Sequence, residues 1–301
     1  MIQHAIDELT KIVEFLEKRK HHMGLFTSTN YEQISDEQAH AALCFTEMNT
    51  LLAMLKALSD RSFRGFLSAA LRFKSSYTAF KECIALYRKK PFDDERSSEE
   101  FYIGVRMMHG LFGMFFSLLP VRFTSLFEYF GWFTDRYQGL KILRKCLQHK
   151  DTLRFAAITL ALSAYFGFVE YVFGLGESDL DLMDKVHAHW HAKYPDSFYV
   201  TLMAGLCEMN HSRFEAACEH FHLCLSQPAL SPHLYKIVYF FMVLSCMQLC
   251  DWARAARIMK LLVGDKVSPA TSTYFCAILL FMDYDLNGRG EYQTEIIELI
   301  R

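Results

Sequence analysis

The chain has 301 residues, 52% hydrophobic and 22% charged, so it can bury a large core and is no disordered tail. It carries 14 Gly and 6 Pro, about half the usual share, which excludes a sandwich or barrel with its frequent turns and favours helices on short connections. A formal net charge of −2 supplies no field that would recruit nucleic acid or acidic lipid.

The opening Met1 to Glu8 has no basic stretch leading into an apolar run and predicts no secretory signal. Ile2, Ile6, Leu9, Ile12, Val13 and Leu16 share a helical face opposite Asp7, Glu8, Lys11 and Glu14. Lys18-Arg19-Lys20 ends that helix and complements its dipole. Gly24 to Tyr31 breaks it, and Ser35-x-x-Gln38 is a capping box for a second helix near Asp36 to Leu58. Phe63, Phe66, Leu67, Ala70, Phe73, Tyr77, Phe80 and Ile84 mark a long third helix. The charged stretch Lys89 to Arg96, with Pro91, reads as an internal linker. Ser97-x-x-Glu100 caps a fourth helix ending at Leu119 before Pro120. Apolar helices follow around Arg122–Phe130 and Tyr137–Leu147, separated by Gly131. The expected division is 1–96, an N-terminal helical region, 97–150, a central helical group, and 151–301, degenerate repeats.

Nine cysteines stand at 44, 83, 146, 207, 218, 224, 246, 250 and 276, with no CxxC. Most lie among apolar helical neighbours, which predicts a reducing, cytoplasmic setting without a disulfide framework. Phe155 to Leu175 has the length of a membrane span with only Glu170 charged. Its flanks carry no aromatic-basic belt, so a buried solenoid helix is expected.

The second half repeats. Aligning Leu182-Met183 with Ala216-Ala217 gives a period of 34, the tetratricopeptide length. Gly205, Ala217, Phe221 and Cys224 fall at repeat positions 8, 20, 24 and 27. The pattern needs small residues where two helices cross closely and an aromatic wedged between them, and Ala204-Gly205, Ala217 and Phe221 supply these. Ser212-x-x-Glu215 is expected to cap the second helix of this pair. Upstream, Met183, His187 and Trp190 take the equivalent positions and Pro195 closes the unit. Downstream, Asp251 to Ala256 echoes Ser212 to Ala217 at an offset near 38, with a longer turn at Ser226–His233.

The segment Gly104-Val105-Arg106-Met107-Met108-His109-Gly110-Leu111-Phe112-Gly113-Met114-Phe115-Phe116-Ser117-Leu118-Leu119-Pro120 leads into Leu126-Phe127-Glu128-Tyr129-Phe130-Gly131-Trp132-Phe133-Thr134-Asp135-Arg136 and Gly139-Leu140. This resembles the central signature of the tetratricopeptide repeat protein 39 and fungal inclusion-body clearance protein family. Ala41 to Glu47, Ser75 to Cys83, Phe168 to Gly176, Lys193-Tyr194-Pro195, Ala204-Gly205 and Asp251-Trp252 are similar to the rest of it, over about 37 to 285. The chain departs from the pattern at Phe133-Thr134, where a glycine is usual, and at the single Pro120. It also ends at Arg301, short of the family's final repeat, as a short member, an isoform or an incomplete gene model would. The resemblance implies an intracellular helical scaffold without catalytic residues. It links fungal relatives to inclusion-body clearance with lipid droplets.

No catalytic or cofactor-binding constellation emerges. His187 and His191 share a face as zinc ligands can, but they lack a third ligand within a turn. The pairs Cys218/His222 and His220/Cys224 point about 160° apart on a helix and cannot meet one ion. Gly174-x-Gly176 and Gly288-x-Gly290 are too short for a phosphate loop.

The expected fold is an all-α, right-handed α-solenoid of tetratricopeptide-like hairpins with an irregular N-terminal helical half. Its candidate partner groove is lined by Tyr199, Leu202, Leu206, Met209 and Asn210, then Ile237, Phe240, Leu244, Met247 and Gln248. That set is apolar. It disfavours a clamp for an acidic C-terminus and suits either the chain's own N-terminal helices or an amphipathic partner helix. Phe112, Phe115, Phe116 and Phe123 are expected in the core, with a lipid-contacting patch as the alternative. The expected function is a non-enzymatic scaffold with protein partners and no cofactor; the alternative is a peripheral lipid-droplet or membrane factor. The apolar stretch Thr273 to Tyr284 needs a cover. Glu291 to Ile300 is expected to fold over Phe275, Ile278, Leu279 and Met282.

Overall fold

The computed structural model describes residues 2–20, 30–60, 62–118, 135–176, 178–227, 232–264, 269–288 and 292–300. Among them every regular element is helical. The chain divides into two compact units, Met1–Leu162 and Ser163–Arg301.

The first unit contains α1 (Ile2–Arg19), α2 (Asp36–Ser59), α3 (Phe63–Lys89), α4 (Glu95–Ser117) and α5 (Arg136–Cys146). The Ser35 capping box forms in full: Gln38 N–H donates to Ser35 Oγ at 3.2 Å, and Ser35 N–H donates to Gln38 Oε1 at 3.1 Å. Packed between α1 and α3, α2 meets Ile6 and Val13 from one side and Ala79 from the other through Phe45 and Leu52. Its buried Thr50 hydroxyl bonds Thr46 O, 2.7 Å away, and pairs with Ser76 of α3.

The stretch 89–96 is a pinned connection within this unit rather than a free linker. Lys90 is buried and its ammonium pairs with Asp36 at the start of α2. Asp36 also accepts from the Ser97 hydroxyl and Asp93 N–H. The cap of α4 is Asp94, not Ser97: Asp94 Oδ1 accepts from Ser97 N–H at 2.7 Å. A carboxylate at this position outcompetes the serine because it also favours the positive end of the helix dipole.

The glycines of the apolar helix have steric work. A Cβ on Gly104 would lie 2.5 Å from both Arg154 Nε and Leu43 Cδ2. A Cβ on Gly139 of α5 would lie 2.7 Å from Gly110 O and 2.8 Å from Met114 N, so α4 and α5 cross in backbone contact. Arg154 fills the space left by Gly104. Its Nε donates to Glu47 Oε1 at 2.6 Å, and its Nη1 to Glu100 O at 3.2 Å. Phe112 and Phe116 are buried and stack at 5.3 Å, with Phe80 edge-on to Phe112 at 5.3 Å, while Phe115 is half-buried. Each such buried ring contributes about 1.5–3 kcal/mol. Phe123, Pro120, Gly131, the helix expected at 122–130 and signature residues 126–134 lie outside the described residues.

Helix α6 comprises Phe155–Ala164, a π turn at Tyr165–Val169 and Glu170–Phe173. Its 19 residues have a mean hydropathy of 1.6, long and apolar enough to cross a membrane by length and composition. Ile158, Leu162, Tyr165 and Phe166 are nonetheless buried in protein. The second unit continues with α7 (Leu180–Lys193), α8 (Phe198–Asn210), α9 (Phe214–Leu225), α10 (Pro232–Gln248), α11 (Trp252–Lys260), α12 (Pro269–Asn287) and α13 (Gln293–Ile300). Each helix from α8 to α13 packs on its chain neighbours, which makes an all-α solenoid.

The repeat length in this unit is 38. The first helices of successive hairpins stop at Gly174, Ser212, Cys250 and Gly288, each 38 after the last, with φ of 58°, 61°, 56° and 68°. At two stops the hydrogen bonds are the same. Ser212 N–H reaches Met209 O and Arg213 N–H reaches Glu208 O; Cys250 N–H reaches Met247 O and Asp251 N–H reaches Cys246 O. These are Schellman closures with a non-glycine residue in the left-handed position. Ser212 is therefore a helix stop, and the expected Ser212 cap is not formed: the cap position of α9 is Arg213. The downstream echo accordingly pairs Asp251 with Arg213, one residue from the alignment read in the sequence. The 34 spacing holds only between the caps of α7 and α9, Asp179 and Arg213, because α7 begins after a longer turn.

A Cβ on Gly205 would lie 2.7 Å from Phe221 Cδ1, and Ala217, Phe221 and Cys224 are fully buried, so the central hairpin has the expected wedge. One hairpin earlier the wedge is Met183, whose Cε would lie 3.3 Å from a Cβ on Gly167. His187 and Trp190 are only half-buried there, so the upstream assignment shifts by one turn. At the other end, Tyr292, Ile296 and Leu299 pack on the core that includes Leu279, Leu280 and Cys276, and Lys260 Nζ donates to Glu295 at 2.8 Å. The last helix thus packs on the core that holds Phe275 and Leu279, two of the four α12 residues it was expected to cover. Gly290 and Glu291 lie outside the described residues.

Candidate protein-binding face

The ten groove positions fall on α8 and α10 but differ in access. Tyr199 and Ile237 are 54% and 46% exposed and occupy equivalent places, 38 residues apart. Leu206 and Met209 are buried, and Leu202, Asn210, Phe240, Leu244 and Met247 are half-buried. Gln248 is exposed. Asn210 spends its amide on Leu206 O at 2.8 Å, one turn back in its own helix. Phe240 and Met247 lean on the core shared by α9, α11 and α12.

The middle of the face is closed by the neighbouring first helices. Phe168 of α6 meets Phe241 of α10 edge-on at 5.7 Å, and Phe241 stacks on the wedge residue Phe221 at 5.9 Å. Tyr171 comes beside Gln248 without a hydrogen bond of regular geometry; burial pushes its phenol up, and the amide contact lowers it. Phe168 and Tyr171 are the 38-residue equivalents of Leu206 and Met209. Extending the downstream offset upstream would have found them. What stays open along successive first helices is Tyr199, Ile237 and, on α12, Tyr274 at 64% exposure, which is one residue off the 38-residue register; the register position, Phe275, leans on the core. Tyr274 falls in the apolar stretch Thr273 to Tyr284, for which the sequence predicts a cover rather than an open face.

His187 and His191 bring their rings to 5.6 Å. Burial, followed by the nearby His191 and His220, holds His187 below the ordinary imidazole range, and its Nε2 is buried without a partner. Among the described residues no three His, Cys, Asp or Glu side chains converge on a metal position. Cys218 and Cys224 are fully buried on α9, and Cys224 Sγ approaches Phe198 O at 3.9 Å. Burial pushes the thiols of Cys83, Cys207 and Cys224 up to about 12, which leaves them as small apolar fillers.

A family model, Iml2/Tetratricopeptide repeat protein 39, matches residues 1–301. Tetratricopeptide repeat protein ttc-39B of Caenorhabditis elegans is 23% identical over 277 residues, which are 90% of this chain and 48% of that protein. The chain thus spans about half the length of that curated relative. No solved structure matches it. The signature glycines that let α4 cross α5, the wedge at Gly205 and the full-length family match agree: the chain belongs to the Iml2/tetratricopeptide repeat protein 39 family.

Proposed function

We propose that this chain is a non-enzymatic scaffold that acts in the cytoplasm by binding protein partners on the first-helix face of its second unit. The observation that carries this reading is the exposed ladder Tyr199, Ile237 and Tyr274. Tyr199 and Ile237 at one repeat register, with Tyr274 one residue off it, are large apolar side chains that cost solvation free energy unless something covers them. None of the ten groove residues is a cation of the kind that clamps an acidic C-terminus. The occupant that fits is a short apolar or amphipathic segment. Free, mostly buried cysteines agree with a reducing compartment.

The test is proximity labelling in cells with the full chain and with a Tyr199→Ser/Ile237→Ser variant that keeps its helical circular dichroism. A set of labelled proteins lost in the variant supports the reading; an unchanged set removes the ladder as the site.

A second reading, peripheral attachment to a lipid-droplet or membrane surface, is favoured by one observation. Val172 and Phe173, at the end of α6, are 44% and 66% exposed. Flotation with liposomes separates the two: loss of flotation in Val172→Ser/Phe173→Ser points to lipid, and no flotation at all leaves the protein ladder.

A further inference from the structure

Between α1 and α3, over α2, runs a groove of about 760 Å³ with Phe45 and Asn49 in its floor. Its α3 wall carries Leu67 and Leu71, one turn apart and 50% and 61% exposed, with Arg64 and Arg72 beside them. The lined stretch of α3, from Arg64 to Ser75, rises about 16 Å, the length of three helical turns. Such a wall matches one amphipathic helix lying along it.

The chain itself displays a helix of that chemistry. On the flank of α1 away from the groove, Ile12 and Phe15 are 43% and 53% exposed. They belong to a stripe at Glu8, Ile12, Phe15 and Arg19, whose spacing of four, three and four residues keeps one side of the helix. The stripe spans eleven residues, as does Arg64 to Ser75 on α3. Laid in parallel, Glu8 faces Arg64, Ile12 faces Leu67 and Phe15 faces Leu71. Four exposed apolar side chains then cover one another, and a carboxylate meets a guanidinium at one end.

We infer that this groove is the interface between two copies of the chain, each placing its α1 against the α3 of the other. Such an exchange is isologous: the same two surfaces are used twice about a two-fold axis, so every contact is made in duplicate. The shared register selects a second copy over an unrelated helix: the pairing that sets Ile12 on Leu67 and Phe15 on Leu71 also brings Glu8, paired with Lys11 in its own helix at 2.7 Å, to Arg64. The surface belongs to the first unit, whereas Tyr199, Ile237 and Tyr274 belong to the second.

The test is the mass of the full chain in solution, by sedimentation equilibrium at micromolar concentrations. A dimer is expected. Leu67→Ser/Leu71→Ser should shift it to monomer, with helical circular dichroism and melting retained because both side chains are half or more exposed. Glu8→Arg and Arg64→Glu should each weaken the dimer by about tenfold, about 1.4 kcal/mol, and the double variant should restore it. A monomeric wild-type chain overturns the proposal, as does a dimer that survives the leucine variant. A dimer lost instead with Phe281→Ser places the interface on α12 and equally overturns it.

Discussion

Gly205→Ala isolates the closest helix crossing in the second unit. Two effects oppose each other. Replacing a mid-helix glycine with alanine stabilises a helix by about 1 kcal/mol. The new methyl, however, would sit 2.7 Å from Phe221 Cδ1, where ordinary contact begins at 3.4 Å. The ring cannot retreat, because Phe221 is fully buried and stacked on Phe241. Overpacking of this kind costs about 1–3 kcal/mol. A ring pinned on its far side places the cost near the upper figure, for a net loss of about 2 kcal/mol. For a unit of this size that lowers Tm by about 4–8 °C. Differential scanning calorimetry reads it directly. Phe221→Leu should cost less in the Gly205→Ala background than alone, with a coupling of about 1 kcal/mol. A Tm that rises, as helix propensity alone requires, would falsify the close crossing.

Arg154→Met should be more damaging, about 3–5 kcal/mol by urea titration, because it leaves the Glu47 and Glu100 carboxylates together without their cation; a loss under about 1 kcal/mol refutes the cluster. Ser212→Gly and Cys250→Gly should each raise stability by about 1 kcal/mol by relieving left-handed backbone at a helix stop, and a fall in Tm for either argues against that geometry. Burial holds His40, His109 and His187 below the ordinary imidazole range. The unfolded chain therefore binds more protons than the native one as pH falls past about 6.5, so stability should be full above that value and decline below it. Thermal melts between neutral pH and pH 5 check this, and His187→Gln should flatten the decline; a variant with the wild-type slope excludes His187 as a contributor. Deleting residues 288–301 should uncover the core beneath Ile296 and Leu299, lower Tm and produce self-association on size exclusion; a truncated chain as stable and monodisperse as the full one shows that α13 is no cap.

Local signals were legible in the sequence wherever they sat within one helix or one turn. The Ser35–Gln38 box, the long apolar face of α3, the Gly205–Phe221 wedge and the covering role of the last helix all follow from spacing. The family was legible for a related reason: of its signature glycines, Gly110 and Gly139 lie where two backbones approach, and Gly104 leaves room for the Arg154 side chain. Failures came where two local signals competed. Ser97 and Ser212 both looked like helix caps, yet a neighbouring aspartate took the first role and the second serine became a helix stop. The 34-residue alignment followed the second helices, while the first helices keep a strict 38, because turn lengths differ between hairpins.

Only tertiary structure decided which apolar residues remain open. Leu206 and Tyr199 are both large and apolar, two turns apart on one helix. Leu206 lies beneath the π turn of α6 and disappears from solvent, whereas Tyr199 is more than half exposed. Helical periodicity assigns a residue to a side of its own helix. It carries no information on how closely the next helix approaches, and that approach separates core from binding face.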